Sequence, residues 1–237
     1  MVDTLLSQGY KVRGTARAAS KLDGLNALWA KKYPQAHFEV AVVEDMAKDG
    51  AFDSAVKGLW LFHFNVNSQY SSGNLYFTGV SGVIHTAAIL SLSTVIEEIV
   101  DPIVNGTLSI LRSAATQPTI TRFVLTSSSV AGDYPRPNEV YSVGENSWNE
   151  VSVEEAYKRN EGPLQGLHVY SAAKVISEKA AWKFMQDEKP GFVLNAILPN
   201  LTLGPILDPA NQWGSSTSLL TPAIEKEDFG FLMEVPR

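Results

Sequence analysis

Five short apolar runs, at 10–16, 38–43, 80–85, 120–126 and 192–198, alternate with helix-length amphipathic stretches at 20–33, 50–57, 94–115 and 167–187. Runs of this length rich in β-branched and aromatic residues read as strands, and strands separated by whole helices pair in parallel, because each helix carries the chain back to the starting edge. The pattern predicts an α/β fold: a doubly wound parallel sheet with helices on both faces. The last helix is bounded by Gly162-Pro163 ahead of it and Lys189-Pro190-Gly191 behind it, both ordinary stop signals.

Composition narrows the classes. At 237 residues, 45% hydrophobic and 19% charged, the chain can build one large core, or one core with a small lobe. A net charge of −6 with scattered basic residues gives no support for a nucleic-acid partner or an anionic membrane partner. The absence of cysteine excludes disulfides and thiolate-bound metals, and four histidines without a clustered acidic set leave a metal site unsupported. No apolar stretch reaches the roughly 18 to 20 residues of a spanning helix, and residues 1–9 lack the features of a secretory signal. Cytoplasm is the expected location, and the choice between monomer and homodimer stays open.

Two regions fit the alternation badly. Residues 2–9 read as the tail of a helix with no strand or glycine-rich turn ahead of it. In the usual doubly wound order that strand lies at the sheet centre, so its loss leaves the second and fourth strands without a common neighbour. The second region, 59–79, stands where a connection of about 2 to 6 residues is the rule. It reads as a surface hairpin, a disordered insertion or a replacement for the central strand.

The chemistry concentrates in a few places. Tyr170 and Lys174 are four residues apart on the last helix and share a face, so the ammonium could lower the phenol's pKa and make it a usable proton donor. Thr126 ends an apolar strand and Ser127, Ser128 and Ser129 follow it, at the carboxyl edge where open α/β sheets place their ligand crevice. A hydroxyl there can bond a substrate carbonyl oxygen and stabilise its growing charge. Arg17 follows the strand at 10–16 where an acidic residue would bond the ribose 2′-hydroxyl of NAD; with Lys21 it suits a 2′-phosphate instead, which implies NADP(H). Asp45 could accept from an adenine amino group and Met46 cover its ring, while Thr86 and Ala87 let the backbone approach a ribose. His85 reads as a structural histidine.

Taken in order, Arg17, Glu44-Asp45-Met46, His85-Thr86-Ala87-Ala88, Asn105-Gly106-Thr107, Thr126-Ser127-Ser128, Tyr170/Lys174 and Leu198-Pro199-Asn200 resemble the extended short-chain dehydrogenases/reductases. The pattern is most similar to carbonyl and aldehyde reductases related to dihydroflavonol reductase. The resemblance covers roughly 2–58 and 80–210. It implies a Rossmann-like NADP-binding domain over 1–205, with 59–79 as an insertion and 206–237 as a remnant of a substrate lobe. It implies the reduction of a small aldehyde or ketone, with Tyr170 as proton donor, Lys174 bonding the nicotinamide ribose and Ser128 polarising the carbonyl. Asn105 would be structural or a proton relay, and Pro199 would pack on the nicotinamide. The family's first strand, glycine-rich loop and full C-terminal lobe have no counterpart, as in a chain truncated at both ends. Two rival readings follow: a non-catalytic remnant unable to hold cofactor, and an epimerase or dehydratase on the same scaffold.

Overall fold

The structure is a computed structural model and describes residues 1–57, 59–61, 76–89, 91–136, 138–160, 162–204 and 206–208. Each apolar run becomes a strand, trimmed by a residue or two: β1 (Val12–Ala16), β2 (Phe38–Val42), β5 (Gly82–His85), β6 (Arg122–Thr126) and β7 (Val193–Ile197). Between them lie α1 (Val2–Ser7), α2 (Asp23–Lys32), α3 (Asp53–Val56), α4 (Ile96–Ala115), α5 (Ser129–Gly132), α6 (Glu150–Tyr157) and α7 (Gln165–Glu188). The helix expected over 20–33 opens instead as a 3₁₀ turn, Ala19–Leu22, before α2.

All five strands pair in parallel, but in two separate sheets. β1 pairs with β2, from Val12 opposite Phe38 to Ala16 opposite Val42. β5, β6 and β7 form the other sheet in that order. The division falls between β1 and β5, and among the described residues no strand stands between them. At the two ends of the segment at 59–79, β3 (Leu59–Leu61) and β4 (Tyr76–Thr78) pair antiparallel with each other and, among the described residues, with no other strand. The three readings of that segment, a surface hairpin, a disordered insertion or a replacement for the central strand, fall largely on residues 62–75, which lie outside the described residues.

The larger core packs β5–β6–β7 against α3, α4 and α7. Phe123 and Leu111 are fully buried in it, and Phe123 stacks on Phe192 with ring centroids 5.5 Å apart. Small residues on α7, Ala172 and Ala173, let that helix close on Ile96, Ile99 and Ile103 of α4. A separate cluster of Leu6, Leu25 and Trp29 holds α1 and α2 on β1 and β2. Side-chain bonds join the two sheets through the α3 region: Ser113 Oγ donates to Asp53 Oδ1 at 2.7 Å, and the Arg13 guanidinium donates to the Ala55 and Lys57 carbonyls at 2.5 and 2.7 Å.

α7 carries the most chemistry, and its position is fixed at both ends. Lys189 in the left-handed region (φ 46°) stops it ahead of Pro190. At the start, a Cβ on Gly166 would stand 2.3 Å from the Leu92 carbonyl oxygen, so the helix approaches that backbone as only glycine allows. Gly166→Ala is expected to lower stability by about 1–3 kcal/mol in a urea melt, the usual range for overpacking a rigid contact.

Candidate active site

The carboxyl ends of β5, β6 and β7 and the middle of α7 meet at one place. β6 ends at Thr126; Ser127 N–H donates to the Ile197 carbonyl at 2.8 Å and Ser129 N–H to the Pro199 carbonyl at 2.9 Å, so the serine run is clamped to the end of β7. From the other side α7 presents Tyr170 and Lys174. Ser128 hydrogen-bonds the Tyr170 phenol. The Lys174 Nζ, 5.9 Å from the centre of the Tyr170 ring, donates to the Thr126 carbonyl at 3.3 Å. Phenol, ammonium and serine hydroxyl thus lie together at the end of β6.

The electrostatics differ from the expectation in one respect. Burial pushes the Tyr170 phenol above its ordinary value, and only the Ser128 hydrogen bond works against it. Acidification by Lys174 is absent, because its ammonium is turned to the Thr126 carbonyl and itself loses basicity on burial, partly offset by Glu178. The shift leaves the phenol, already protonated at neutral pH, in the state a proton donor needs.

The remaining candidates lie on other elements. Arg17 and Lys21 are exposed just past β1, and Asp45 is exposed past β2, its Oδ1 accepting from the Ala47 N–H at 2.9 Å. Met46 packs on α4, where a Cβ on Gly106 would meet its side chain at 3.1 Å. Thr86 and Ala87 are exposed past β5. Asn105 lies on the exposed side of α4, and among the described residues no hydrogen bond links it to Tyr170, Lys174 or Ser128. An NADP(H) molecule would find basic groups for a 2′-phosphate beside β1 and a buried lysine beside β6, whereas the described residues supply no glycine-rich turn for its pyrophosphate.

Three supporting residues escaped the sequence reading. Buried Asn149 caps α6, its Oδ1 accepting from Ser152 N–H at 2.9 Å, and its Nδ2 donates to the Val130 carbonyl at 2.9 Å, so one side chain ties α6 to the turn after Ser128. Asn149→Ala is expected to cost about 1–2 kcal/mol in denaturant unfolding, the sum of a lost cap and an unpaired buried carbonyl. Glu178, one turn after Lys174, is 5% exposed; Oε1 accepts from the Trp182 indole at 3.2 Å while Oε2 has no hydrogen-bond partner. His168 stacks on Tyr134 at 5.7 Å and its Nδ1 lies 3.2 Å from Ser152 Oγ, fastening the start of α7 to α6. Of these only the Lys174–Glu178 spacing was visible in the sequence. Among the described residues no group of histidines and acids forms a metal site, and no helix is long and apolar enough to cross a membrane.

A parallel sheet whose carboxyl edge gathers serine, tyrosine and lysine defines a Rossmann-like domain. Residues 72–222 match the NAD-binding family described as Male sterility protein, and the chain belongs to the extended short-chain dehydrogenases/reductases. It is 46% identical over 219 residues to aldehyde reductase 2 of Sporidiobolus salmonicolor, covering 92% of this chain and 57% of that one. It is 35% identical over 234 residues to ketoreductase adrE of Penicillium rubens, covering 98% and 61%. Among solved structures, yeast methylglyoxal/isovaleraldehyde reductase Gre2 complexed with NADPH superposes with a TM-score of 0.66 at 26% identity, over 86% of this chain and 54% of that one. The chain thus spans 57% and 61% of the length of these two curated relatives.

Proposed function

We propose that this chain is the cofactor-binding and catalytic part of an NADPH-dependent reductase that converts a small aldehyde or ketone to the alcohol. The observation that carries the reading is the junction of Tyr170, Ser128 and Lys174 at the carboxyl end of β6. Support comes from relatives that are named aldehyde reductase and ketoreductase, and from a solved neighbour complexed with NADPH. Residues 1–205 form the NADP-binding domain in this reading, and 206–237 belong to a substrate lobe.

The reduced nicotinamide, when bound, supplies the hydride. The chain's own residues do the rest. Ser128 donates a hydrogen bond to the carbonyl oxygen and stabilises the charge that gathers there. Tyr170, a phenol that is protonated at neutral pH, passes its phenolic proton to the same oxygen. Lys174 places a positive charge beside that transfer and bonds the nicotinamide ribose, and Pro199 packs on the nicotinamide. Arg17 and Lys21 select the 2′-phosphate, Asp45 and Met46 hold the adenine, and Thr86, Ala87 and Thr126 line the ribose side.

The test is direct. The purified chain is mixed with NADPH and a panel of small aldehydes and ketones, and the loss of NADPH absorbance is followed together with alcohol formation. Saturable turnover is expected. Failure to bind NADPH at all would overturn the reading in favour of a non-catalytic domain, for which the divided sheet is the motivating observation.

A further inference from the structure

Among the described residues, two acidic or basic side chains of the Asp, Glu, Lys and Arg kind are buried: Lys174, 6% exposed, and Glu178, 5% exposed. They stand four apart on α7, so they lie on one face of that helix, a turn from each other. The Lys174 ammonium uses one of its three donors on the Thr126 carbonyl. Of the Glu178 oxygens, Oε1 accepts from the Trp182 indole and Oε2 is buried without a hydrogen-bond partner. A buried carboxylate calls for a counter-charge close by, and so does a buried ammonium. The elements packed around α7 offer them no other. β5 brings His85, whose pKa burial lowers to about 4, so its ring is neutral at pH 7. α4 meets α7 through Ile96, Ile99 and Ile103. α6 directs Glu150 to Lys179 and Glu155 to Lys158 and leaves Glu154 exposed. α5 and β7 carry no charged residue, and Tyr170 on α7 itself is a neutral phenol at that pH.

We propose that Glu178 is a positioning residue of the reductase site: its carboxylate is the counter-charge that keeps the Lys174 ammonium charged beside Tyr170. The catalytic consequence rests on the reductase reading, whereas the pairing of the two charges does not. The ammonium donates to Thr126 rather than to the carboxylate, so the two act on each other as charges through the buried interior, where attraction is stronger than in water. The directions agree with this: burial lowers the basicity of Lys174, and Glu178 works against that loss. The Trp182 indole fixes one oxygen of Glu178 and so holds the carboxylate in place. Glu178 therefore acts through the lysine. Without its charge the ammonium gives up its proton at lower pH, and the positive charge beside the proton transfer is lost first at the alkaline end of the working range.

The experiment compares the full chain with Glu178→Gln, whose amide oxygen can still accept from Trp182 while the charge is gone. Lysine is isotope-labelled at Cε, where the NMR shift reports loss of the ammonium proton, and the Lys174 signal is the one missing from Lys174→Met. The Lys174 titration is expected to move to lower pH in Glu178→Gln and to return toward the parent in Glu178→Asp, which restores the charge. In turnover, kcat of Glu178→Gln should fall below that of the parent by a factor that grows from pH 7 to pH 9 and reaches at least about threefold, with KM for the carbonyl unchanged. A Lys174 titration that stays in place would overturn the proposal, because the carboxylate would then serve the Trp182 bond alone. A titration that moves while the pH profile of kcat does not would overturn the positioning role. A parent chain without turnover would count against the reductase reading, and the titration would still decide the pairing. Should Glu178→Gln fail to fold, the double variant Glu178→Gln/Lys174→Met decides in a urea melt. Removing both partners of a buried pair costs less than removing one, so the double variant is expected to regain a folding transition. A double variant as unstable as Glu178→Gln would overturn the proposal.

Discussion

Tyr170→Phe is expected to reduce carbonyl turnover by about 10²–10⁴-fold while leaving NADPH affinity and stability close to those of the parent, since that is the usual contribution of a positioned general acid. The argument rests on what the hydroxyl touches. Its hydrogen-bond partner is Ser128, whose backbone is held independently of it by the clamp between the serine run and the end of β7. The Lys174 ammonium is anchored by the Thr126 carbonyl and sits over the phenyl ring that phenylalanine keeps. Removing one oxygen therefore removes the proton and little else. The effect should appear in kcat more than in KM, because the missing group acts on charge that develops in the transition state. Equal turnover of the variant and parent would mean that another group donates the proton.

The same site shows what the sequence could and could not convey. Strand positions were legible because Val, Ile and Phe runs between breakers have no other stable use in a chain of this composition, and each of the five emerged within two residues of its expected bounds. The separation of β1 from β5 among the described residues agrees with the place where the alternation of strands and helices was read as interrupted. Harder to read was α6: Glu150–Tyr157 has weak amphipathicity, and beside the local Asn149 cap it is held by bonds from Gln165 and His168 on α7, which are contacts between elements. Side-chain direction was illegible as well. Spacing places Lys174 on the face of Tyr170, but the strand-end carbonyl of Thr126, 48 residues earlier in the chain, draws the ammonium away from the phenolic oxygen. Burial, a tertiary property, then decides the sign of the phenol's shift. Periodicity reports which face a residue occupies, and the polar partners on the other side of the cleft decide what it does there.

His85 gives the second large effect, on stability rather than rate. Its ring, at the end of β5, is 5% exposed, lies 6.3 Å from the Phe52 ring, and has its pKa lowered to about 4 by burial and by the charge of Lys174. An unfolded histidine titrates near 6.5. Between these values the unfolded chain binds a proton that the folded chain refuses, so the unfolded state holds more protons and stability falls as pH falls. The loss begins near pH 6.5, is complete below about pH 4, and amounts to about 3 kcal/mol from this group. His168, whose pKa is also lowered by burial, pulls the same way from a more exposed position. His85→Leu, which keeps an apolar side chain against Phe52 and cannot titrate, should flatten urea-derived stability across that window. The parent is expected to lose stability steeply and the variant to cross the same range with most of that slope removed. A variant as acid-sensitive as the parent would show that protonation elsewhere drives the loss. The direction also bears on Lys174: a proton on His85 would set a second cation beside that ammonium inside the core, so acid that reaches this ring would loosen the lysine on which the proposed proton transfer depends.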